Sequence, residues 1–149
     1  MIRFVKTPKD NPDFVNLVKQ LDQYLATIDG EEHAFYKAFN KSVELDHIMV
    51  AYIEDNPVGC GALKHFDQDT LEVKRMFVIP SQRSKGIASQ LLMELEAWAR
   101  ALSYKNCVLE VGKRQPDAVH LYQKNGYELI PNYGQYIGIA NSLCLRKNL

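Results

Sequence analysis

The sequence is short of most features that mark a specialised class. No apolar run approaches the roughly 18 residues a membrane-spanning helix needs, and the opening MIRFVKTPKD is charged throughout, so it lacks the apolar core of an export signal. Neither a membrane span nor secretion is therefore expected. Charge of one sign is not in excess either: 18 Lys and Arg balance 18 Asp and Glu. That balance argues against an extended nucleic-acid surface or a footprint on anionic lipid, so any anion site has to be local. Cysteine is scarce. Cys60, Cys107 and Cys144 are odd in number, far apart and set in apolar runs, as expected of buried, reduced thiols in a cytoplasmic protein and not of a disulfide frame. No low-complexity tract, repeat or Pro/Gly/Ser-rich linker divides the chain. His33, His47, His65 and His120 show no metal-ligand spacing with cysteines or carboxylates, so no metal is expected.

What is present reads as one domain, residues 1–149, with 46% apolar and 24% charged residues. Ile2 and Phe4 alternate with polar neighbours as a first strand. Asn11-Pro12 supplies a cap and first-turn proline for a helix carrying Phe14, Leu17, Val18, Leu21, Leu25 and Ile28 and ending near Gly30. A second short helix carries Ala34, Phe35, Ala38 and Phe39. Three strands follow, His47 to Glu54, Pro57 to Lys64 and Leu71 to Ile79, joined by turns at Asp55-Asn56 and Asp67 to Thr70. Ile87, Leu91, Leu92, Leu95, Trp98, Ala99 and Leu102 form the stripe of an amphipathic helix. Then come a strand at Cys107 to Val111, a helix at Ala118 to Lys124 stopped by Asn125-Gly126, and strands near Tyr127 to Ile130 and Ser142 to Arg146. The expected class is α/β, a mixed and mostly antiparallel central sheet of about six to seven strands flanked by about four helices.

Between the third of those strands and the long helix lies Pro80-Ser81-Gln82-Arg83-Ser84-Lys85-Gly86-Ile87-Ala88-Ser89. A helix start has free backbone N–H groups and a positive dipole end. Gly86 and Ala88 keep side chains out of an anion's way, and Arg83 and Lys85 add charge. Gln82 to Ser89 thus reads as a cradle for a pyrophosphate. The plainer reading keeps Ser81 as a helix cap and the two cations as solvated surface. Arg-x-x-Gly-x-Ala alone arises by chance on the order of once per thousand positions. Gly59-Cys60-Gly61 is not a dinucleotide fingerprint, because Lys64 stands at the third glycine's place and a strand follows; close strand packing explains it better.

The line from Leu71 through Ala88 resembles the acyl-CoA-binding motif of the GNAT N-acetyltransferase superfamily. Gln115 to Tyr127 is similar to that family's second motif, and Tyr133-Gly134-Gln135-Tyr136 with Ser142 to Lys147 resembles a small-acceptor branch. The resemblance implies a GNAT-like fold, acetyl-CoA as co-substrate, a small-molecule amine as acceptor, and direct attack of the amine on the thioester without an acyl-enzyme. It implies that Met76, Phe77 and Val78 meet the pantetheine arm as an added strand would. Arg83, Ser84, Lys85, Gly86, Ile87, Ala88 and Ser89 would hold the pyrophosphate. Gln115 stands where many family members have asparagine. Homodimerisation is left open.

The Val78 N–H is the expected oxyanion donor, and Tyr122 matches the residue that protonates the departing thiol. Glu72 is the expected base for the amine, directly or through water, sharing a strand face with Lys74, Met76 and Val78 under period-two alternation; Glu110 is the reserve. Glu31, Glu32, His33 and Tyr36, with Tyr133 and Tyr136, are expected around the acceptor, while Phe35 and Phe39 of the same patch are expected to pack inside. A non-catalytic acyl-CoA-binding module and a protein lysine or N-terminal acetyltransferase stay open as alternatives.

Overall fold

The computed structural model describes residues 1–30, 34–37 and 44–149. Its strands are β1 (Ile2–Thr7), β2 (His47–Ile53), β3 (Asn56–Asp67), β4 (Thr70–Val78), β5 (Asn106–Gly112), β6 (Glu128–Ile130) and β7 (Ser142–Asn148). The helices are α1 (Pro12–Asp29), α2 (residues 34–37), α3 (Ile87–Ala101) and α4 (Pro116–Lys124). The strands form one sheet in the order β1-β2-β3-β4-β5-β7-β6. Every pairing is antiparallel except β4 with β5. The expected α/β class, with a mixed, mostly antiparallel sheet, is what the chain adopts. Glu31, Glu32, His33, Ala38 and Phe39 lie outside the described residues.

Local chemistry sets the helix ends. The Asn11 side chain accepts the Asp13 N–H at 2.8 Å, Pro12 opens α1, and Gly30 closes it at φ 57°. The apolar stripe of α1, Phe14, Leu17 and Leu21, lies on Ile48, Val50, Cys60, Ala62 and Phe77. On the other face Leu91, Leu92 and Leu95 of α3 pack on Met49, Leu63, Leu71 and Val73, joined by Tyr122 and Tyr127 from the α4 segment. Two departures are small and local. The first hairpin turns at Glu54-Asp55, one residue early, because Asn56 already pairs with Ile53. Strands β3 and β7 run on to Asp67 and Asn148, because each finds ladder partners beyond its apolar core, on β4 and β5 respectively.

A larger departure sits in β4. Cys60 pairs with Phe77 but Ala62 with Lys74, so Gly61 faces two residues, Arg75 and Met76. This is a β-bulge, with Arg75 at φ 59°. It breaks the period-two alternation. Glu72 and Lys74 do share a face, but Met76 packs into the α3 cluster and Val78 against Ile87, while Phe77 turns to α1. The expectation that Glu72, Lys74, Met76 and Val78 line one face is thereby corrected. Glycine is needed opposite the bulge: a Cβ on Gly61 would come within 2.7 Å of both Met76 Sδ and Leu95 Cδ1, and one on Gly59 within 2.9 Å of the Phe77 carbonyl.

All three cysteines are free and buried. One buried ionic group ties α3 to β7: Glu96, 2% exposed, accepts Lys147 Nζ and the Tyr127 hydroxyl, each at 2.9 Å. Lys147→Ala should leave that carboxylate buried without its cation and cost about 3–5 kcal/mol in urea unfolding. A double Glu96→Leu, Lys147→Leu variant should recover most of the loss; equal loss in both would mean that packing, not charge pairing, holds the site.

Candidate active site

The site begins where β4 and β5 part. Their parallel ladder covers only Thr70, Leu71 and Glu72 against Asn106, Cys107 and Val108. Beyond it the strands have no ladder partner in one another, and a cavity of about 130 Å³ opens between them. Val73, Lys74, Arg75 and Met76 of β4 line it, with Glu110, Val111 and Gly112 of β5, Gln115, and Tyr122 of α4. Val78 completes the edge. Ile79 N–H donates to Val58 O at 2.9 Å, so by the alternation of an antiparallel ladder Val78 turns its own N–H and C=O away from β3. Its carbonyl accepts Arg83 Nε at 2.8 Å.

The bulge that aims this edge is braced. Arg75 Nη2 meets Asp22 Oδ1 of α1 at 2.9 Å, and Cys60 Sγ donates to the Arg75 carbonyl at 3.3 Å. A non-glycine residue at positive φ costs roughly 1–3 kcal/mol and persists only where its surroundings over-determine it.

Past Val78 the chain makes a 3₁₀ turn, Pro80–Gln82, and α3 starts only at Ile87. Ser81 therefore does not cap α3; the cap position is Gly86, at φ 79° with no side-chain hydrogen bond. Ser84 is also left-handed, at φ 63°, and successive backbone N–H groups around such bends are of the kind that bind anions. Gln90 N–H is taken by Gly86 O at 3.1 Å, so the N–H groups of Ile87, Ala88 and Ser89 face outward from the helix start. A Cβ on Gly86 would meet only Gln90 Nε2, at 3.9 Å. The space beside the cradle is open, and a diphosphate fits that donor set. The cations divide their work. Arg83 is folded back, with its guanidinium 5.0 Å from the Tyr24 ring and 5.5 Å from that of Phe77, whereas exposed Lys85 bonds Gln82 Oε1 at 3.0 Å. Asn125 Nδ2 donates to Ser89 Oγ at 3.1 Å and joins the end of α4 to the start of α3.

On the α1 side of the cavity sit the charged groups. Glu72 is buried, and its Oε2 accepts the Tyr133 hydroxyl at 2.6 Å. Lys74, 8% exposed, donates from Nζ to the Tyr136 hydroxyl at 3.2 Å; burial lowers its pKa, and Glu72 and Glu110 pull it partly back. Glu110 Oε2 is closed off from solvent and has no hydrogen-bond partner. Burial pushes the Glu110 carboxyl up to about 7; the Ser142 hydroxyl and Lys74 oppose this, while Asp29 and Glu72 reinforce it. Burial also raises the pKa of Tyr122, with the Glu110 charge second, so its phenol holds its proton at neutral pH. Cys60 and Cys107 are pushed up to about 12 by burial, which leaves neither a thiolate nucleophile.

The structure thus brings Met76, Gln115 and Tyr122 to one cavity with Glu110, and places Glu72 behind it against Tyr133. Lys74, Arg75 and Asp22 were not singled out by sequence reasoning as parts of the site; the Gly59-x-Gly61 pair was the available signal of a bulge opposite. Tyr36 reaches the cavity, and its hydroxyl lies 2.8 Å from Ser142 Oγ. Among the described residues no group of three or more His, Cys, Asp or Glu is arranged to hold a metal ion.

Residues 14–127 match the Acetyltransferase (GNAT) family. An IAA acetyltransferase of Azospirillum brasilense is 33% identical over 137 residues, covering 91% of this chain and 90% of its own. Among solved structures, a Klebsiella pneumoniae protein assigned as an acyl-CoA N-acyltransferase superposes with a TM-score of 0.84 at 25% identity, over 100% of this chain and 98% of its own. An Elizabethkingia anophelis GNAT family acetyltransferase, crystallised with acetyl-CoA bound, superposes with a TM-score of 0.72 at 20% identity, over 99% and 98%. At that identity the likeness speaks for the fold.

Glu110 makes a stability prediction. An unfolded glutamate ionises near 4.5 and this one, folded, near 7. The folded state holds the proton more tightly, so the contribution is full below pH 4.5 and lost as pH rises through 7. Relative to Glu110→Gln, the wild type should lose up to about 3 kcal/mol across that window. Melting curves of the two proteins between pH 4 and 8 check this, and a pH-independent difference between them would count against it.

Proposed function

The chain belongs to the GNAT acetyltransferase family, and on that premise we propose that it transfers the acetyl group of acetyl-CoA to a primary amine of a small molecule, by direct attack in a ternary complex. The observation that carries this reading is the parting of β4 from β5, which opens a cavity lined by Tyr122 and Glu110 beside a β4 edge whose Val78 main chain turns away from β3.

Acetyl-CoA supplies an activated acyl group. The chain's own residues bind and orient it: the free edge of β4 at Met76 to Val78 accepts the pantetheine arm as an added strand. The Gln82 to Ser89 cradle takes the pyrophosphate on the N–H groups of Ile87, Ala88 and Ser89, with Lys85 adding positive charge. Gln115, at the start of α4 and lining the cavity, has an amide within reach of the arm. Glu110 removes the proton from the acceptor ammonium. The freed amine forms the new C–N bond at the thioester carbonyl as the C–S bond breaks. The Val78 N–H donates to the carbonyl oxygen while it carries charge. Tyr122, protonated because of its burial, gives its proton to the leaving thiolate, and the second proton that the nitrogen sheds on becoming an amide restores the Tyr122 phenol by way of water.

Glu110 takes the base's role in preference to Glu72. It lines the cavity, has an unpartnered oxygen and ionises near working pH, whereas Glu72 is already bound by Tyr133. A small acceptor is favoured over a polypeptide because residues 131–141 close over this side, with Tyr133 and Tyr136 seated on Glu72 and Lys74. Asn132 Nδ2 secures that loop to the carbonyls of Tyr136, Ile139 and Ser142, at 3.0, 3.3 and 3.0 Å.

Acetyl-CoA should raise the melting temperature, and thiol release should follow addition of a suitable amine. Tyr122→Phe should cut turnover about a hundredfold or more with cofactor affinity nearly intact. The kcat/KM profile should rise with a pKa near 7 that Glu110→Gln abolishes and Glu72→Gln leaves in place. Cofactor binding without thiol release across a broad amine panel would instead mark a binding module.

A further inference from the structure

Two complementary charged groups line the cavity without satisfying each other. Lys74 and Glu110 each stand two residues beyond the last β4–β5 pair, Glu72 with Val108, so they occupy equivalent places on either side of the opening. Lys74 is buried, yet among the described residues its ammonium has one hydrogen-bond partner, the Tyr136 hydroxyl, and no carboxylate within salt-bridge distance. An ammonium has three donors, so two find no partner among the described residues. Across from it, Glu110 Oε2 is enclosed and unpartnered. Buried charges without partners are expensive, and structures keep them where a ligand completes them.

The other charges around the cavity are differently placed. Glu72 is engaged by Tyr133, and Asp29 reinforces the negative side. Arg75, the other cation lining the cavity, is paired with Asp22 at 2.9 Å, so the Lys74 ammonium is the cation left without a carboxylate among the described residues, and nothing in the acetyl-transfer chemistry itself uses it. An acceptor that is only an amine fills the Glu110 side and leaves Lys74 as it is. A zwitterion fills both.

We propose that the acceptor is a small amino acid, held with its amine at Glu110 and its carboxylate on the Lys74 ammonium, the Tyr136 hydroxyl fixing the lysine's position. This rests on the amine-acetyltransferase reading above and adds the carboxylate as the specificity element. Charge-assisted hydrogen bonds from a buried ammonium are the strong kind, and a site built to meet a polar group rejects the analogue that lacks it.

The experiment compares thiol release from acetyl-CoA with matched sets: glycine, alanine and β-alanine, their amides, and the corresponding decarboxylated amines. The acids should show kcat/KM about ten- to a hundredfold above their amides, and in Lys74→Met that ratio should collapse toward one. Melting temperature of the protein–CoA complex with each compound gives a reading independent of turnover. Stabilisation by the acids alone, lost in Lys74→Met, supports the site even where thiol release fails, and then only the enzymatic reading falls. Equal turnover of acids, amides and simple amines overturns the proposal and leaves the acetyltransferase reading standing. Neither turnover nor stabilisation by any amino acid overturns the proposal, and the acetyltransferase reading falls with it only where the amides and simple amines also release no thiol.

Discussion

A parallel ladder that ends after three residue pairs is the constraint on which the rest depends. Had β4 and β5 stayed paired to the end of β5 at Gly112, the main chain of Lys74 to Met76 would be spent inside the sheet and no cavity would separate Lys74 from Glu110. The bulge at Arg75 turns the far half of β4, and its strain is held by contacts from three directions: Asp22 on α1, Cys60 on β3, and Met76 lying over the bare Cα of Gly61. The opened sheet stays in one piece because α3 and the α4 segment share a single apolar cluster with strands on both sides of the parting, from Leu71 and Val73 to Cys107, Leu109 and Leu145.

Two sets of buried charge in this chain differ in one respect that separates structure from function. Glu96 is almost fully enclosed, but its two oxygens are claimed by Lys147 and Tyr127. Lys74 and Glu110 are enclosed and incompletely claimed. The first arrangement is a finished network that locks α3 to β7. The second is a standing cost, of the kind proteins carry where a ligand completes the contacts. Burial alone would have ranked the two alike; counting partners distinguishes them.

Much of the fold was legible because local signals and periodicity agree. Asn11-Pro12 opens α1 and Gly30 closes it, the Ile87 to Leu102 stripe is α3, and Asn125-Gly126 ends α4, all within a residue or two of where they were expected. What failed was alternation along β4. Period two assumes an unbroken ladder, and Arg75 carries no mark of a bulge in its own identity; the sign was across the ladder on β3, in Gly61 opposite it and Gly59 two residues before. Glu110 was underrated for a related reason: its value comes from enclosure and from an oxygen left unpartnered, neither of which a strand pattern encodes. The Ser81 cap failed because the loop takes two left-handed bends, at Ser84 and Gly86, before helix begins.

The division between what was legible and what was not follows the division of chemical labour. In the proposed mechanism the donor half of the site is built from main-chain groups: the Val78 edge, the N–H groups of Ile87, Ala88 and Ser89, the bends at Ser84 and Gly86. Such groups are present in any residue, so what the sequence must specify is only backbone shape, and backbone shape leaves a short, recurring signature of small residues at fixed spacing. The acceptor half is built from side chains contributed by β4, β5, α2 and the residues 131–141, which lie far apart in the chain. Tyr136 meets Lys74 across 62 positions and Tyr36 meets Ser142 across 106. No local pattern can encode contacts of that range, and each one is free to change without disturbing the cradle. On that proposal a chain built this way keeps its cofactor while its acceptor varies, and the acceptor is selected by the charges that the cavity leaves unmatched.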